Sequence, residues 1–235
     1  MKLAVDFHIH TALSPCADKD MTPNNIVNMS ILKGLDAIAI TDHNSIENCE
    51  ACIEISQNKD ILVIPGMELQ TKEEIHLLCL FKNIRSASQF QSLIYSRLKE
   101  QKNIPEIFGR QFIFNKEDKI IGENKKMLIA SADISINEAF DAVRNREGIV
   151  FPAHIDRSGY SIITNLGFIP MDLPIKVLEI SKKCDLKKLI SDHKYLSKYQ
   201  FIRNSDAHNL ADIMERENFI EVENKNIESI FEALS

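Results

Sequence analysis

The chain has 235 residues, 44% of them hydrophobic and 26% charged, with seven Gly and seven Pro; these proportions exclude collagenous and disordered chains. Lys and Arg number 28 against 34 Asp and Glu, a formal net charge of −6. That argues against a basic surface tracking a long nucleic-acid backbone, though a short strand end entering a metal-lined pocket remains compatible. Five cysteines, no apolar leader ahead of Asp6 and no apolar run near the ~20 residues of a membrane helix predict a cytoplasmic protein with reduced thiols and no membrane association, and no obligate protein partner is evident in the sequence.

In chain order, short β-branched runs predict strands at Lys2–Phe7, Asp36–Ile40, Ile61–Ile64, Ile75–Phe81, Ile149–Pro152, Lys176–Ile180 and Gln200–Arg203. Most are continuous apolar runs, the pattern of parallel strands buried on both faces. Thr22 and Pro23 open a helix bearing Ile26, Val27, Met29, Ile31 and Leu32, with Thr22 as its cap. Another helix is expected from near Ser45, carrying Cys49 and Cys52 as inert thiols. Between 83 and 147 the pattern lengthens into a helix with Phe90, Leu93, Ile94 and Leu98, then a hairpin, Gln111–Asn115 and Lys119–Ile121. Ser135 and Glu138 form a capping box for the helix of Ala139, Phe140 and Val143, which Gly148 closes. Asp185 opens a helix with Leu186, Leu189, Ile190 and Leu196 on one face and His193 within it. The alternation predicts an α/β fold, a distorted (β/α)7 barrel forming a single domain over 1–235, with about 83–147 inserted as a cap.

The histidines carry the chemical signal. His8 and His10 follow the first strand as D-F-H-I-H, His43 the second as T-D-H, His154 the fifth as P-A-H and His208 the seventh as S-D-A-H, while His76 lies in the fourth. The C-terminal ends of parallel strands form the functional rim of a barrel, where residues distant in sequence meet. Asp6, Asp18, Asp42, Glu68, Glu179 and Asp206 accompany them. Neutral imidazoles and carboxylates together suit Zn²⁺, Mn²⁺ or Fe²⁺. An H-x-H pair in a strand puts both rings on one side, and a carboxylate such as Glu68 can bridge two ions about 3.5–4 Å apart. Each motif alone has a plainer reading: T-D-H and S-D-A-H can cap helices, and Glu68 can be a loop acid. Jointly, so many ionisable groups gathered in one place are too costly without cations.

The succession D-F-H-I-H-T, T-D-H-N-S, P-G-M-E, an I-H-L strand, P-A-H and S-D-A-H resembles the PHP (polymerase and histidinol phosphatase) superfamily from Val5 to His208. The resemblance implies metal-dependent phosphoester chemistry on a distorted (β/α)7 barrel, with two or three divalent ions at the C-terminal ends of the strands. It implies that His8, His10, Glu68 and Asp206 hold a first metal, that Glu68, His76 and His154 hold a second, and that Asp18, His43 and His208 hold a third. The family continues its first motif as S-D-G-x-x-T-P; here the text is S-P-C-A-D-K-D-M-T-P. Counting back from Thr22 and Pro23 puts the family's Asp at Asp18, with Asp20 and Cys16 as the other occupants of that position.

The function expected is hydrolysis of a phosphate monoester of a small metabolite or nucleotide, by a hydroxide held between metals and with Glu68, Asp206 and His208 at the reacting centre. Arg157, in A-H-I-D-R-S, is the candidate guanidinium for the phosphoryl oxygens and Ser158 a further phosphate contact; pairing of Arg157 with Asp156 is the plainer alternative. Asp6 and Asp42 are expected to orient ligand imidazoles. The Lys182, Lys183, Lys187 and Lys188 cluster is either a solvated face or an attraction for an anionic substrate. The competing readings are a nuclease trimming short oligonucleotide ends and a non-catalytic, metal-stabilised regulatory module.

Overall fold

The computed structural model describes residues 1–235. Its first half runs β1 (Lys2–Ile9), α1 (Pro23–Leu32), β2 (Ala37–Ile40), α2 (Cys49–Ser56), β3 (Leu62–Gln70), β4 (His76–Leu80), α3 (Ile84–Arg97), α4 (Pro105–Phe108), β5 (Phe112–Phe114) and β6 (Ile120–Glu123). The second half runs α5 (Ile136–Arg144), β7 (Ile149–Pro152), α6 (Ile162–Leu166), β8 (Val177–Ile180), α7 (Leu186–Asp192), β9 (Gln200–Arg203), β10 (Phe219–Glu221) and α8 (Ile227–Leu234). No helix is long and apolar enough to cross a membrane.

The expected α/β barrel is present in distorted form. Six strands make one curled sheet in the order β10-β1-β2-β3-β4-β7, and β8 pairs in parallel with β9. The ring is completed by individual hydrogen bonds rather than ladders. Ile155 N–H donates to the Glu179 carbonyl (2.9 Å), His10 N–H to the Ala207 carbonyl (3.0 Å), and Phe7 N–H to Asn204 Oδ1 (2.9 Å). The sheet is not wholly parallel: β4 runs antiparallel to both its neighbours, and the unpredicted β10, three residues in a charged stretch, runs antiparallel to β1. Reversing β4 brings its first residue, His76, to the rim where β1, β2 and β3 end.

Two apolar layers build the frame. An inner cluster includes Leu3, Val5, Phe7, Ala37, Ala39, Ile64, Leu78, Leu80, Phe151, Val177 and Ile202, and is joined from one end of the barrel by Ile220, Ile230 and Phe231. A larger outer cluster lies between the sheet and its helices, with Ile38, Ile40, Met67, Leu69, Ile26 and Val27 among its members. Side chains alternate along a strand, so the residue two positions beyond an inner-layer residue also points inward, one level higher. Two residues past Gly66 is Glu68, two past Val177 is Glu179, two past Ile202 is Asn204, and two before Leu78 is His76.

In β1 the alternation is interrupted. Val5 and Asp6 pair with Ala37 and Ile38, but Ile9 pairs with Ile40, so β1 holds one extra residue. This bulge shifts the parity, so the inward set passes from Leu3, Val5 and Phe7 to His8 and His10.

Several boundaries differ from the sequence expectation. β3 runs six residues beyond Ile64 and contains Glu68, although Pro65-Gly66 reads as a break. The Pro65 carbonyl still accepts the Phe81 N–H (2.9 Å), and Gly66 is required because a Cβ would lie 2.7 Å from Leu80 Cδ2 and 2.9 Å from Thr41 Cγ2. Thr22 precedes α1 but does not cap it; its hydroxyl donates to Asp118 (2.6 Å). α2 starts at Cys49 rather than near Ser45, because Asn44 has a left-handed backbone and Asp42 is engaged by Thr11 and Ser14. The Ser135–Glu138 capping box is present. The left-handed residue after α5 is Glu147, however, while Gly148 is needed for space, since a Cβ there would stand 2.8 Å from the Leu80 carbonyl. α7 ends at Asp192, which makes His193 its half-buried C-terminal cap.

Within 83–147, α3 packs on β3 and α5 on β7 as flanking helices. The β5–β6 hairpin packs beside the loops after β1 and β2: Phe112 N–H donates to the Ala12 carbonyl, and Asn48 bonds Phe112 and Phe114.

Candidate metal centre

Eight of the nine expected ligands converge at one rim. His8 and His10 come from the end of β1, His43 from just after β2, Glu68 from β3 and His76 from the start of β4. His154 follows β7, and Asp206 and His208 follow β9. All but His208 are buried or nearly so. Glu68 stands at the middle. Its Oε1 lies 3.2 Å from His8 Nε2, 2.8 Å from His76 Nδ1 and 3.1 Å from His154 Nε2; its Oε2 lies 3.3 Å from His10 Nε2 and 2.9 Å from His43 Nδ1. Asp206 Oδ1 lies 3.2 Å from His8 Nε2 and 3.0 Å from His10 Nε2. His154 and Asp206 sit at φ +30° and +52°, conformations a non-glycine residue holds only where its surroundings impose them.

Three groups of donors fall within mutual reach: His8, His10, Glu68 and Asp206; His43, Glu68 and His76; and His10, His43 and His208. The first is the set that the resemblance implies. In the second, His43 takes the place expected of His154, whose Nε2 nevertheless stands 3.3 Å from His76 Nδ1. In the third, His10 stands where Asp18 was expected. Asp18 is exposed, and its Oδ1 accepts the Asp20 N–H (3.1 Å); the extra residues before Thr22 hold it in that turn while its own N–H donates to the His208 carbonyl (2.8 Å). Asp20 is exposed too, and Cys16, also exposed, stands beside His43.

The donor set fits divalent cations. His8 Nε2 and His10 Nε2 face each other at 3.1 Å, as do His76 Nδ1 and His154 Nε2 at 3.3 Å, contacts that need a proton or a cation between them. His43 Nδ1, Glu68 Oε2 and His154 Nδ1 are buried with no hydrogen-bond partner; the first two are close but not aligned for a bond. Without a cation, protons fill the gap. Burial pulls the His10 imidazole down, but Asp206 and Glu68 overcome this and hold it at about 9. Burial likewise opposes His43, which Glu68 and Cys16 bring to about 9. Burial would raise Glu68 and Asp206, yet the surrounding imidazoles hold both well below the usual carboxylate range. His208 goes the other way, to about 3, through burial and the neighbouring His10 charge.

A further layer of acids holds the imidazoles. Glu179 Oε1 lies 2.9 Å from His8 Nδ1 and accepts Asn204 Nδ2 (2.8 Å), while Oε2 accepts the His154 N–H (2.7 Å). Asp42 acts on His10 through Ser14, whose hydroxyl donates to Asp42 (2.7 Å) and lies 3.0 Å from His10 Nδ1. Asp6 touches no imidazole ring; it accepts the backbone N–H groups of Ser205 and Met214 and so fixes the strand end carrying Asp206. Burial pushes both Asp6 and Asp42 up. Replacing Glu179 by Gln removes the charge that fixes the His8 ring, and metal affinity is expected to fall about 10–100-fold, measured by competition against a chromophoric chelator.

The cleft over this centre has a volume of about 740 Å³ and is lined by Arg157, Ser158, Tyr160 and Lys183 together with the ligand candidates; none of its lining residues comes from 83–147. Arg157 Nη1 contacts Asp206 Oδ2. Asp156 is engaged by Ser181 N–H (2.8 Å) and Oγ (2.5 Å) instead, so the plainer Arg157–Asp156 pairing is absent. Ser158 lies exposed at the mouth. The residue order alone assigned no role to Glu179 or Tyr160; the period-two alternation past Val177 was the available signal for Glu179, and nothing local marks Tyr160. Cys49 and Cys52 are fully buried within α2, where burial pushes their thiols up.

Comparison with known proteins gives a consistent picture. An uncharacterized protein of Methanocaldococcus jannaschii, MJ0043, is 26% identical over 166 residues, which cover 70% of this chain and 18% of that protein. The structure of the lesion-specific endonuclease PfuEndoQ from Pyrococcus furiosus is similar in fold, with a TM-score of 0.72 at 19% identity over 100% of this chain and 56% of that one. A protein of Bifidobacterium adolescentis provisionally described as a metal-dependent phosphoesterase matches with a TM-score of 0.61 at 18% identity, over 98% of this chain and 95% of its own. The chain thus spans under a fifth of MJ0043 and about half of PfuEndoQ. A model of the PHP domain matches residues 6–147, more than half of the chain and inclusive of five of the converging ligand candidates, and the chain belongs to the PHP domain family.

Proposed function

We propose that this protein is a hydrolase of phosphoric esters that uses two or three divalent ions (Zn²⁺, Mn²⁺ or Fe²⁺) to cleave a monoester of a small metabolite or nucleotide. The observation that carries this reading is Glu68, one buried carboxylate with two oxygens facing separate sets of imidazoles, below a cleft that also presents an arginine. His8, His10, Glu68 and Asp206 would hold one ion and Glu68, His76 and His154 a second, which leaves His43 and His208 for a third, since each neutral imidazole has one lone pair to give. When bound, such ions supply charge for the phosphoryl oxygens and water ionised near neutral pH. The chain's own part is positioning. Arg157, 43% exposed, keeps guanidinium N–H groups toward the cleft while one contacts Asp206, so a phosphoryl oxygen is met by a fixed cation. Ser158 adds a hydroxyl at the mouth and Lys183 a second positive charge. The net charge of −6 favours a small substrate over a long nucleic acid, and five unpaired cysteines suit the cytoplasm.

The second reading, trimming of oligonucleotide ends, is supported by the fold likeness to endonuclease Q, which has been crystallised with a 27-mer duplex carrying an abasic lesion at its active site. The discriminating assay supplies Mn²⁺ and compares an aryl phosphate, mononucleotides and short oligonucleotides. Turnover of the first two is expected, with Arg157→Ala lowering kcat/KM by about 10²–10³. Turnover of oligonucleotides alone establishes the nuclease. Turnover of none, with metal bound, leaves the metal-stabilised regulatory module in place of both.

A further inference from the structure

We propose that Tyr160 is a stacking platform that makes this cleft select phosphate esters bearing a planar aromatic ring beside the scissile phosphate, a nucleobase being the chemistry that fits. This rests on the hydrolytic reading above and names the substrate class for it.

Tyr160 is the one hydrophobic side chain among the thirteen residues that line the cleft. Every other lining group is charged, polar, imidazole or glycine, so Tyr160 offers an entering ring the least polar surface in the cleft. One face of Tyr160 is already used: it lies parallel to the His76 imidazole, with centroids 4.7 Å apart and planes 13° apart. The residue is nevertheless 49% exposed, and the face turned away from His76 is the one left for a ligand. The ring is also held. Tyr160 sits at φ +56°, a conformation bulky residues avoid, and its carbonyl accepts the His76 N–H (2.9 Å), so the surrounding chain fixes the backbone from which the ring projects. A platform already ordered loses little entropy when a ligand stacks on it.

The charges are disposed to match. His76 connects the ring to the centre, with Nδ1 2.8 Å from Glu68 Oε1, so a group stacked on the outer face of Tyr160 stands two rings, Tyr160 and His76, away from Glu68. Arg157 and Lys183 flank the same cleft. The Lys183 loop is itself clamped, since Arg203 donates to the carbonyls of Ser181, Lys182 and Cys184 (2.7, 2.9 and 3.0 Å) and Ser181 bonds Asp156. Cationic side chains for the phosphate and a rigid aromatic face in the same cleft are the two elements by which single nucleotides and strand ends are bound.

The alternative role for Tyr160 is a buttress that only seats His76, and the two roles separate by ratio. The Mn²⁺-loaded protein is titrated with non-hydrolysable phosphonate analogues of adenosine monophosphate and of ribose 5-phosphate, which differ only in the base. The wild type is expected to bind the adenosine analogue about 10- to 100-fold more tightly. Tyr160→Phe keeps that preference, while Tyr160→Leu and Tyr160→Ala bring the ratio near one with little change for the ribose analogue. Equal binding by the wild type, binding of neither analogue, a preference that survives Tyr160→Ala, or equal weakening of both ligands each overturns the proposal, the last identifying a buttress. The readout is binding, so a failure of catalysis in the ester assay, which sinks the hydrolytic reading, is seen separately.

Discussion

Glu68→Gln is expected to strip the centre of metal and lower phosphoester turnover by about 10³-fold or more, with the fold retained at low temperature. The substitution keeps the shape of the side chain and removes its charge. Glu68 is 1% exposed, and its two oxygens face His8, His76 and His154 on one side and His10 and His43 on the other. A neutral amide cannot balance the cations gathered there, whether they are metal ions or the protons that His8, His10 and His43 hold without them. Removing one partner from a buried ion cluster costs about 3–5 kcal/mol, and at about 2–4 °C per kcal/mol for a chain of this size the Tm drops by roughly 6–20 °C. Plasma mass spectrometry of the purified variant, with a thermal melt followed by circular dichroism, checks both parts. Full metal content with ordinary turnover in Glu68→Gln would remove the bridging role on which the proposed function stands.

Chelation is expected to lower the Tm, and by more at pH 9 than at pH 6. An ion present at a hundred times its Kd stabilises the folded chain by about 2.7 kcal/mol, which corresponds to about 5–10 °C per ion removed. The pH dependence originates in the imidazoles. His10 and His43 are raised to about 9 without metal, above their ordinary value. Their protonation therefore stabilises the metal-free fold fully below about pH 6.5, and this contribution is lost as pH rises through 9. Glu68 and Asp206 are lowered, so their contribution is present at neutral pH and lost in acid. His208, lowered to about 3, costs stability as pH falls below about 6.5, so the metal-free protein is most stable only slightly below neutral pH. The loaded protein needs both imidazoles neutral, and protons compete with its ions less as pH rises. Melts with and without chelator across this range read the gap directly; one that is absent, or constant with pH, contradicts the centre as described.

Much of this was legible in the residues because local chemistry carried it. The apolar runs at Ile149–Pro152 and Gln200–Arg203 are strands with those bounds, and the Ser135–Glu138 box caps α5 as its spacing required. The H-x-H pair, T-D-H, P-A-H and S-D-A-H all reach one rim, since strand ends of an α/β barrel share a side. Other features depended on neighbours that the chain meets only after folding. Pro65-Gly66 reads as a break until Leu80 and Thr41 close in on Gly66, and the place of Asp18, exposed in the longer turn before Thr22, is set by that turn rather than by its motif. Glu179 looked like one more acid on a strand, and its hold on His8 spans 171 positions.

The amino-acid order by itself determined the alternating strand and helix units and the ligand types delivered to strand ends, because periodicity and residue chemistry are local properties. Tertiary structure alone decided the reversal of β4 that delivers His76, the bulge in β1 that turns His8 and His10 inward, and the meeting of five imidazoles on one carboxylate. Those depend on which strands pair and in what register, a competition among long-range contacts that no short stretch of chain encodes.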